Sequence, residues 1–548
     1  MSNSKTFDKK DHGFQNSNAK GSNFETAVTA CGYGKFHYIL YLVMIPATWA
    51  SIFDTSNTSM ILPSVQCDLG LTPLYKGLLN AAVYSGMVSS AFLWGFLGDV
   101  LGRKKILIYC LFVDGVLNFM TGTSQTFWVL VFFKFMSGFV VSGPYASLVT
   151  YCSEFHALND RPRLVLLIGM FNNSGAILNA AMAWLIIPHK WSIILFNGNF
   201  VYNSWRLYMS FCGLPIIIGA ACFLFFPESP KFLMSQGRND EALQVFRKIY
   251  AMNSGQSPDS YPIRELESEV VDTTVKNGVN IISIERDGEF SNLESNKCHK
   301  RPFKSVLMHG MRQMKPLFVA PLGFRLLLVV TLNFGILMTL NTIRLWQPQI
   351  FTILTYFDNL PNKGPEELSF CEILDNSKSV MANQTIVSIE GSEHCKEIPV
   401  DSSVYYFAMI VSSVTTSFVF LAALLVSVLR NKILLLISLF ISFISIVTMQ
   451  WSPNTLITLI ITCIYSGVQS ACVNLSISIT VDLFPTTLRT MAVSLIMMTG
   501  RIGALLGNIM FPVLLEYGCF VPIIALAFFI LLCIVLTFFI PKPNKNLK

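Results

Sequence analysis

Charge is what this chain has least of. Only 13% of its 548 residues are Asp, Glu, Lys or Arg, against about 25% in an ordinary soluble domain. That shortage excludes a water-facing surface for most of the chain. Catalytic signatures are missing too. There is no Gly-x4-Gly-Lys-Ser/Thr phosphate loop, no His-Glu-x-x-His, no Gly-x-Ser-x-Gly and no Cys-x-x-Cys pair, and the seven histidines are scattered. Nothing here supports work driven by ATP, hydrolysis by zinc or serine, or a redox centre. No enzyme activity, cofactor or metal is expected. Nor does the polar, lysine-bearing stretch from Met1 to Gly34 contain the short apolar core and cleavage site of a signal peptide.

What is present in excess is apolar sequence, with 53% hydrophobic residues and a mean hydropathy of +0.54. Most of the 13 cysteines lie within apolar runs, where they pack as small hydrophobes. A membrane-spanning helix needs about 20 mostly apolar residues. Runs of that kind occur near 38–63, 78–97, 106–123, 127–151, 164–187, 206–226, 326–350, 404–428, 433–450, 455–479, 491–514 and 519–540. The sequence therefore predicts an all-α membrane protein with twelve transmembrane helices in two six-helix pseudo-repeats. The net charge of +7 sits mainly in loops and tails, which makes it a topology signal and not a nucleic-acid footprint. Alternate loops hold Arg103, Lys104, Lys105, Arg161, Arg163, Arg430, Lys432 and Arg489, which by the positive-inside rule places them, and both termini, in the cytoplasm. The expected plan is a cytoplasmic tail over 1–35, a first bundle over 36–226, a cytoplasmic central loop over 227–320, a second bundle over 321–541 carrying an outer loop at 352–403, and a second cytoplasmic tail over 542–548. Within the central loop, Ala242, Val245, Phe246 and Ile249 have helical spacing over Asn239–Met252. Asn253–His299 turns polar and is expected to be disordered, and a second inner helix is expected over Phe303–Gln313.

One charged hairpin organises the rest. In Gly95-Phe-Leu-Gly-Asp-Val-Leu-Gly-Arg-Lys-Lys105, Gly95 and Gly98 allow close helix approach, and Gly102 can take the positive φ of a tight turn. A worn copy, Ser427-Val-Leu-Arg-Asn-Lys432, recurs in the second half. In the same register, a shift of 328 positions carries Glu154 to Asp482, Arg161 to Arg489, Gly175 to Gly503 and Met182 to Met510. Parallel six-span repeats are one way in which carriers are built.

Candidate functional residues are the polar groups that the spans should not tolerate. Asp54 lies inside the first span, where an ionised carboxylate costs on the order of 3 kcal/mol unless paired. It reads either as a cation contact or proton carrier, or as an acid held by neighbouring Ser51, Thr55 or Thr58. Asp114 in the third span reads as structural. Arg344, with Asn341 and Trp346, either lines a cavity or reaches for the interface. Asn172, Asn173, Asn333, Gln469 and Asn474 need partners in lipid, either in neighbouring helices or in a solute. Gly95, Asp99, Gly102, Arg103, Lys104, Lys105, Glu154, Arg161, Asp482, Arg489 and Arg501 are expected at cytoplasmic span ends, as a gate of ion pairs that closes in one conformation. In the outer loop, Cys371 and Cys395 are expected to form a disulfide, and Asn383 of Asn-Gln-Thr is expected to be glycosylated. Asn57-Thr-Ser59 also fits the acceptor pattern, but lies within a span and reads as chance.

The Gly95–Lys105 hairpin resembles the signature loop of the major facilitator superfamily. Ala30-Cys-Gly-Tyr-Gly-Lys-Phe-His-Tyr38, Phe92-Leu-Trp-Gly95, Met182-Ala-Trp-Leu-Ile-Ile-Pro-His189, Ser204-Trp-Arg206, Pro227-Glu-Ser-Pro230 and Asp482-Leu-Phe-Pro-Thr-Thr-Leu-Arg489 further resemble the synaptic vesicle glycoprotein 2 family. The resemblance implies a secondary-active transporter moving a small charged organic solute, with a proton as the candidate coupled ion. The expected protein is a monomer in a plasma or vesicle membrane, with the lipid bilayer and the solute as partners and no nucleic acid. The family carries acids three apart in its first span, where this chain has Ser51 and Asp54, so Ser51 marks a lost member of a coupling or binding pair. The Arg that superfamily members often carry in the fourth span is Lys134 here, which keeps the charge without the bidentate fork. The outer loop is too short for the family's large lumenal domain. The competing expectation is a non-transporting vesicle membrane protein that keeps the fold as a scaffold or trafficking partner.

Overall fold

The computed structural model describes residues 22–189, 191–198, 200–267, 315–320, 322–359, 368–376, 401–426 and 428–541. The expected second inner helix over Phe303–Gln313, together with Asn383 and Cys395, lies outside them. The long helices are α2 (Lys35–Asp68), α3 (Pro73–Leu101), α4 (Arg103–Gly122), α5 (Phe127–Ser153), α6 (Arg161–Ile186) and α7 (Ser204–Leu224) in the first half. Those of the second are α10 (Leu322–Asp358), α11 (Ser403–Leu425), α12 (Asn431–Met449), α13 (Thr455–Leu483), α14 (Thr486–Leu515) and α15 (Phe520–Phe539). Among the described residues eleven of these are long and apolar enough to cross a membrane, and α3 is a further helix of 29 residues. Each covers one of the runs read from the sequence.

Compact packing divides the chain into two units. The division does not fall between the halves: both halves belong to one unit, and the other gathers described segments from residues 22–40, 151–162 and 227–267. In that polar unit, α1 (Phe24–Ala30) starts at Asn23, whose Oδ1 accepts from the Thr26 amide at 2.9 Å. Two further helices are α8 (Pro230–Ser235) and α9 (Asn239–Ser254). Ala242, Val245, Phe246 and Ile249 form the buried stripe of α9, and the Phe246 ring packs on Phe24 with centroids 6.2 Å apart. The stretch expected to be disordered is ordered in its first part. Residues 253–267 hold Tyr261, Ile263 and Leu266 buried, and Tyr261 donates to the Ala27 carbonyl at 2.7 Å. Three apolar side chains in a polar run suffice because α1 and α9 already offer them a core.

In the membrane unit, glycines mark where helices touch. A Cβ on Gly86 of α3 would lie 2.1 Å from the Phe135 carbonyl oxygen of α5, and one on Gly138 of α5 would lie 2.1 Å from that of Val83. The internal repeat appears as packing: Gly175 of α6 sits against Trp49 and Ile52 of α2, and Gly503 of α14 sits against Phe334 and Met338 of α10. Thus the first and fifth spans of each half approach at matched glycines. Gly102, between α3 and α4, has φ +93°, the turn geometry that its hairpin needs.

The loop between the fifth and sixth spans is an antiparallel hairpin, β1 (Ser192–Leu195) and β2 (Phe200–Asn203). Beside it, Arg206 at the start of α7 pairs with Asp68 at the end of α2 at 2.6 Å, and Trp205 Nε1 donates to the same Asp68 oxygen at 2.8 Å. That is a physical reason for a Trp-Arg pair at this span end.

The outer loop corrects the disulfide. Cys371 is bonded to Cys519, with Cα atoms 5.2 Å apart, and not to Cys395. A short helix over 370–376 docks on the bundle through Phe370 N to Ser452 O at 2.9 Å and Cys519 N to Asp375 Oδ1 at 3.0 Å. This brings Cys371 to Cys519 at the head of α15. Proximity along the chain was outweighed by docking of the loop.

Candidate functional site

Helical periodicity builds the first polar cluster. Asp54 and Asn57 are three apart on α2, Asp114 and Asn118 four apart on α4, and Lys134 and Ser137 three apart on α5. Each pair therefore shares one helix face. The three faces converge where no solvent reaches: Asp54, Asn57, Asp114, Asn118, Lys134 and Ser137 are all fully buried. Asn118 Nδ2 donates to Asp54 Oδ1 at 2.8 Å, Lys134 Nζ to Asn57 Oδ1 at 2.6 Å, and Ser137 Oγ to Asp114 Oδ1 at 3.1 Å. Lys134 Nζ lies 3.9 Å from Asp54 Oδ1. Asp54 Oδ2 and Asp114 Oδ2 have no hydrogen-bond partner. Two carboxyls and one ammonium therefore lie together in a buried set, with Lys134 beside Asp54.

The second polar feature is a cavity of about 40 Å³ between the halves, with Asn173 of α6 on one side and Arg344, Gln347, Ser412, Thr416 and Ser466 on the other. Gln347 Nε2 and Ser466 Oγ are buried without a partner. Nearby contacts close the halves together. Tyr84 of α3 donates to Asn341 Oδ1 of α10 at 2.9 Å, and Arg501 Nη1 of α14 donates to Ser142 Oγ of α5 at 3.0 Å.

Of the substrate or coupling candidates, Asp54 lies in the buried cluster, while Asn173 and Arg344 meet at the cavity and Asn341 is in the Tyr84 bond. Ser51 does not hold Asp54; its hydroxyl donates to Asn172 Oδ1 at 3.1 Å. Two candidates lie elsewhere. Trp346 is buried in the apolar core with its ring 5.3 Å from that of Phe511. Asn474 is exposed on α13 and donates to its own helix at Ser470 O, 3.4 Å away.

Among the gate candidates, Arg501 is misplaced by the sequence reading. It sits midway along α14, about 22 Å from the start of that helix at 1.5 Å per residue, and so belongs with the central groups. Other gate candidates make contacts within their own half or with the polar segments. Arg161 pairs with Glu25 at 2.7 Å, Glu154 accepts from Ser229 Oγ, Lys104 Nζ donates to Leu224 O at 3.3 Å, and Asp482 accepts from Asn431 Nδ2 at 3.4 Å. Arg489 Nε is buried without a partner. Gly95 and Asp99 lie on the last turns of α3, and Arg103 and Lys105 on the first turn of α4.

Asp114, which reads from the sequence as structural, and Asn57, whose burial within α2 agrees with a chance glycosylation pattern, both belong to the cluster with Asp54. The signal was there in the i, i+3 and i, i+4 spacing of polar residues inside apolar spans. What it lacked was which faces meet.

A family model described as "Sugar (and other) transporter" matches residues 9–282, and one described as "Major Facilitator Superfamily" matches residues 392–548. Synaptic vesicle glycoprotein 2B of Rattus norvegicus is 33% identical over 230 residues, which is 42% of this chain and 34% of that protein. Synaptic vesicle glycoprotein 2C of Homo sapiens is 32% identical over 249 residues, 45% of this chain and 34% of that protein. The chain thus aligns with about a third of the length of these relatives. Among solved structures, the partially occluded inward-open xylose transporter XylE of E. coli superposes with a TM-score of 0.60 at 14% identity, covering 93% of this chain and 100% of that one. A bacterial homologue of the human lysosomal transporter Spinster, inward-facing and unoccupied, gives 0.58 at 11% identity, covering 92% and 97%. These two likenesses carry the fold alone.

Proposed function

Because the chain belongs to the major facilitator superfamily, we propose that it is a secondary-active carrier moving a small charged organic solute by alternating access between its halves. The observation that carries this reading is the polar cavity lined from both halves. At about 40 Å³ it is far below the roughly 300 Å³ or more of a site that encloses a ligand. A solute can therefore enter only when the halves part. Tyr84–Asn341 and Arg501–Ser142 are the bonds that parting would break, so their energy weighs on the balance between open and closed forms.

Asp54 is the coupling acid in this reading, acting together with Asp114 and Lys134. A proton arriving at this set changes its charge, and α2, α4 and α5 must adjust to the change. The chain is a multi-pass membrane protein, read here as a monomer with both termini cytoplasmic, in a plasma or vesicle membrane. A non-transporting scaffold is favoured by one observation, the serine at position 51 that bonds Asn172 where the vesicle family carries an acid.

Uptake of pooled metabolites into proteoliposomes under an imposed pH gradient separates the two. Accumulation by the wild type that is lost in Asp54→Asn supports coupled transport. Equal accumulation in both keeps transport and removes Asp54 from coupling. Folded protein that accumulates nothing favours the scaffold.

A further inference from the structure

Among the described residues the cavity between the halves carries positive charge without a counter-charge. Arg344 lines it, half-buried, and forms no ion pair among the described residues. The Tyr84 hydroxyl feels the charge of both Arg344 and Arg501. Among the described residues Arg501 likewise has no acid partner; its bond is to Ser142. The acids in mid-span, Asp54 and Asp114, are committed to Lys134, Asn118 and Ser137 in the sealed cluster. Among the described residues no carboxylate lines the cavity.

An uncompensated guanidinium inside a membrane protein is costly, and the groups around Arg344 do not compensate it. They offer donors. Gln347 Nε2 is a buried amide donor with nothing to bond, and the buried Ser466 Oγ also lacks a partner. Both line the same cavity. A neutral polyol would leave the Arg344 charge unmatched, and a cation would meet it with repulsion. An acidic group on the solute would satisfy guanidinium, amide and hydroxyl at once, through charge-assisted hydrogen bonds.

We propose that the solute is a small organic anion whose acidic group binds Arg344, Gln347 and Ser466, with Arg501 supplying a second positive charge at the closing surface. This rests on the carrier reading above and narrows it. Leu340, Val411 and Ala176 form the apolar remainder of the lining, which suits a short aliphatic body better than a ring system. Carboxylates and phosphate esters share the required chemistry.

The test uses purified full-length protein in proteoliposomes under an imposed pH gradient. One pool contains aliphatic carboxylates, a second phosphate esters, a third quaternary and primary amines, and a fourth neutral sugars and polyols. Accumulation from the first or second pool is expected, and which of the two responds identifies the acidic group. Arg344→Gln should reduce that uptake about tenfold or more, the effect of losing a charge-assisted hydrogen bond. Arg344→Lys should raise the half-saturating concentration more than it lowers the maximal rate, since charge survives and the fork does not. If Arg344→Gln does not fold, the lysine variant decides. Uptake from the amine or neutral pool that is undiminished by either variant overturns the anion assignment and leaves the carrier standing. Folded wild type that accumulates nothing from any pool overturns the carrier reading and the anion assignment with it.

Discussion

Tyr84 donates its hydroxyl hydrogen to Asn341 Oδ1 at 2.9 Å, joining the second span of one half to the first span of the other. Both residues are buried, so water does not compete for the bond. Tyr84→Phe removes it, with a net effect of about 1 kcal/mol, a shift of about fivefold away from the closed form. A cysteine placed at Ser412, on the cavity wall, reports the shift through its rate of alkylation, followed by mass spectrometry of that peptide. An unchanged rate would show that this bond does not hold the closed form.

Lys134 is the one ammonium of a cluster that also holds two carboxyls. Lys134→Met leaves those acids without a cation, and breaking a buried pair on one side costs about 3–5 kcal/mol. Asp54→Asn added to Lys134→Met should recover much of the loss, because the pair is then removed together. The measurement is the midpoint of heat inactivation in detergent, followed by size-exclusion chromatography. A double variant no better than Lys134→Met would mean that the lysine matters for packing and not for charge.

The disulfide pins the outer loop across a separation of 148 residues. Peptide mapping without reductant should find the Cys371 peptide joined to that of Cys519. Cys519→Ser should lower stability by about 2–4 kcal/mol, and Cys395→Ser should leave the Cys371 linkage intact. Recovery of a Cys371–Cys395 peptide from the native protein would reverse this assignment.

In the polar unit, His156 Nδ1 lies 2.8 Å from the Cys152 carbonyl oxygen, and its ring is 4.8 Å from that of His37. Burial pushes the imidazole down from 6.5 to about 4, so the fold holds the neutral ring. Between those values the unfolded chain binds a proton that the folded chain does not. The stabilisation is therefore complete above about pH 6.5 and falls as the pH drops towards 4. Hydrogen exchange across residues 151–162, corrected for its intrinsic pH dependence, should quicken from pH 7 to pH 5. His156→Gln should flatten that response; a wild-type profile that is already flat would rule the histidine out.

The helices were legible because a bilayer imposes length and apolarity on every span. The runs near 38–63 and 519–540 became Lys35–Asp68 and Phe520–Phe539, and the glycine-bearing repeat that relates Gly175 to Gly503 reappears as matched close contacts. α9 was legible for a different reason: its stripe follows the helical period. Residues 253–267 were not, since their order depends on three side chains finding a core made elsewhere.

The sequence by itself determined which residues are in conflict with lipid: Asp54, Asp114, Lys134 and Arg344 stand out in apolar runs whatever the fold. Only the tertiary structure decided how the conflict is resolved. It groups the first three into a sealed set, sets Arg501 midway along α14 and not at a span end, and among the described residues gives neither Arg344 nor Arg501 an acid. It likewise gives Cys371 to Cys519 in preference to a nearer neighbour in the chain. The reason is common to all of these. Period and composition fix the face a side chain occupies on its own helix, whereas charge pairing and covalent bonding depend on which faces meet, and that is set by the packing of helices far apart in sequence.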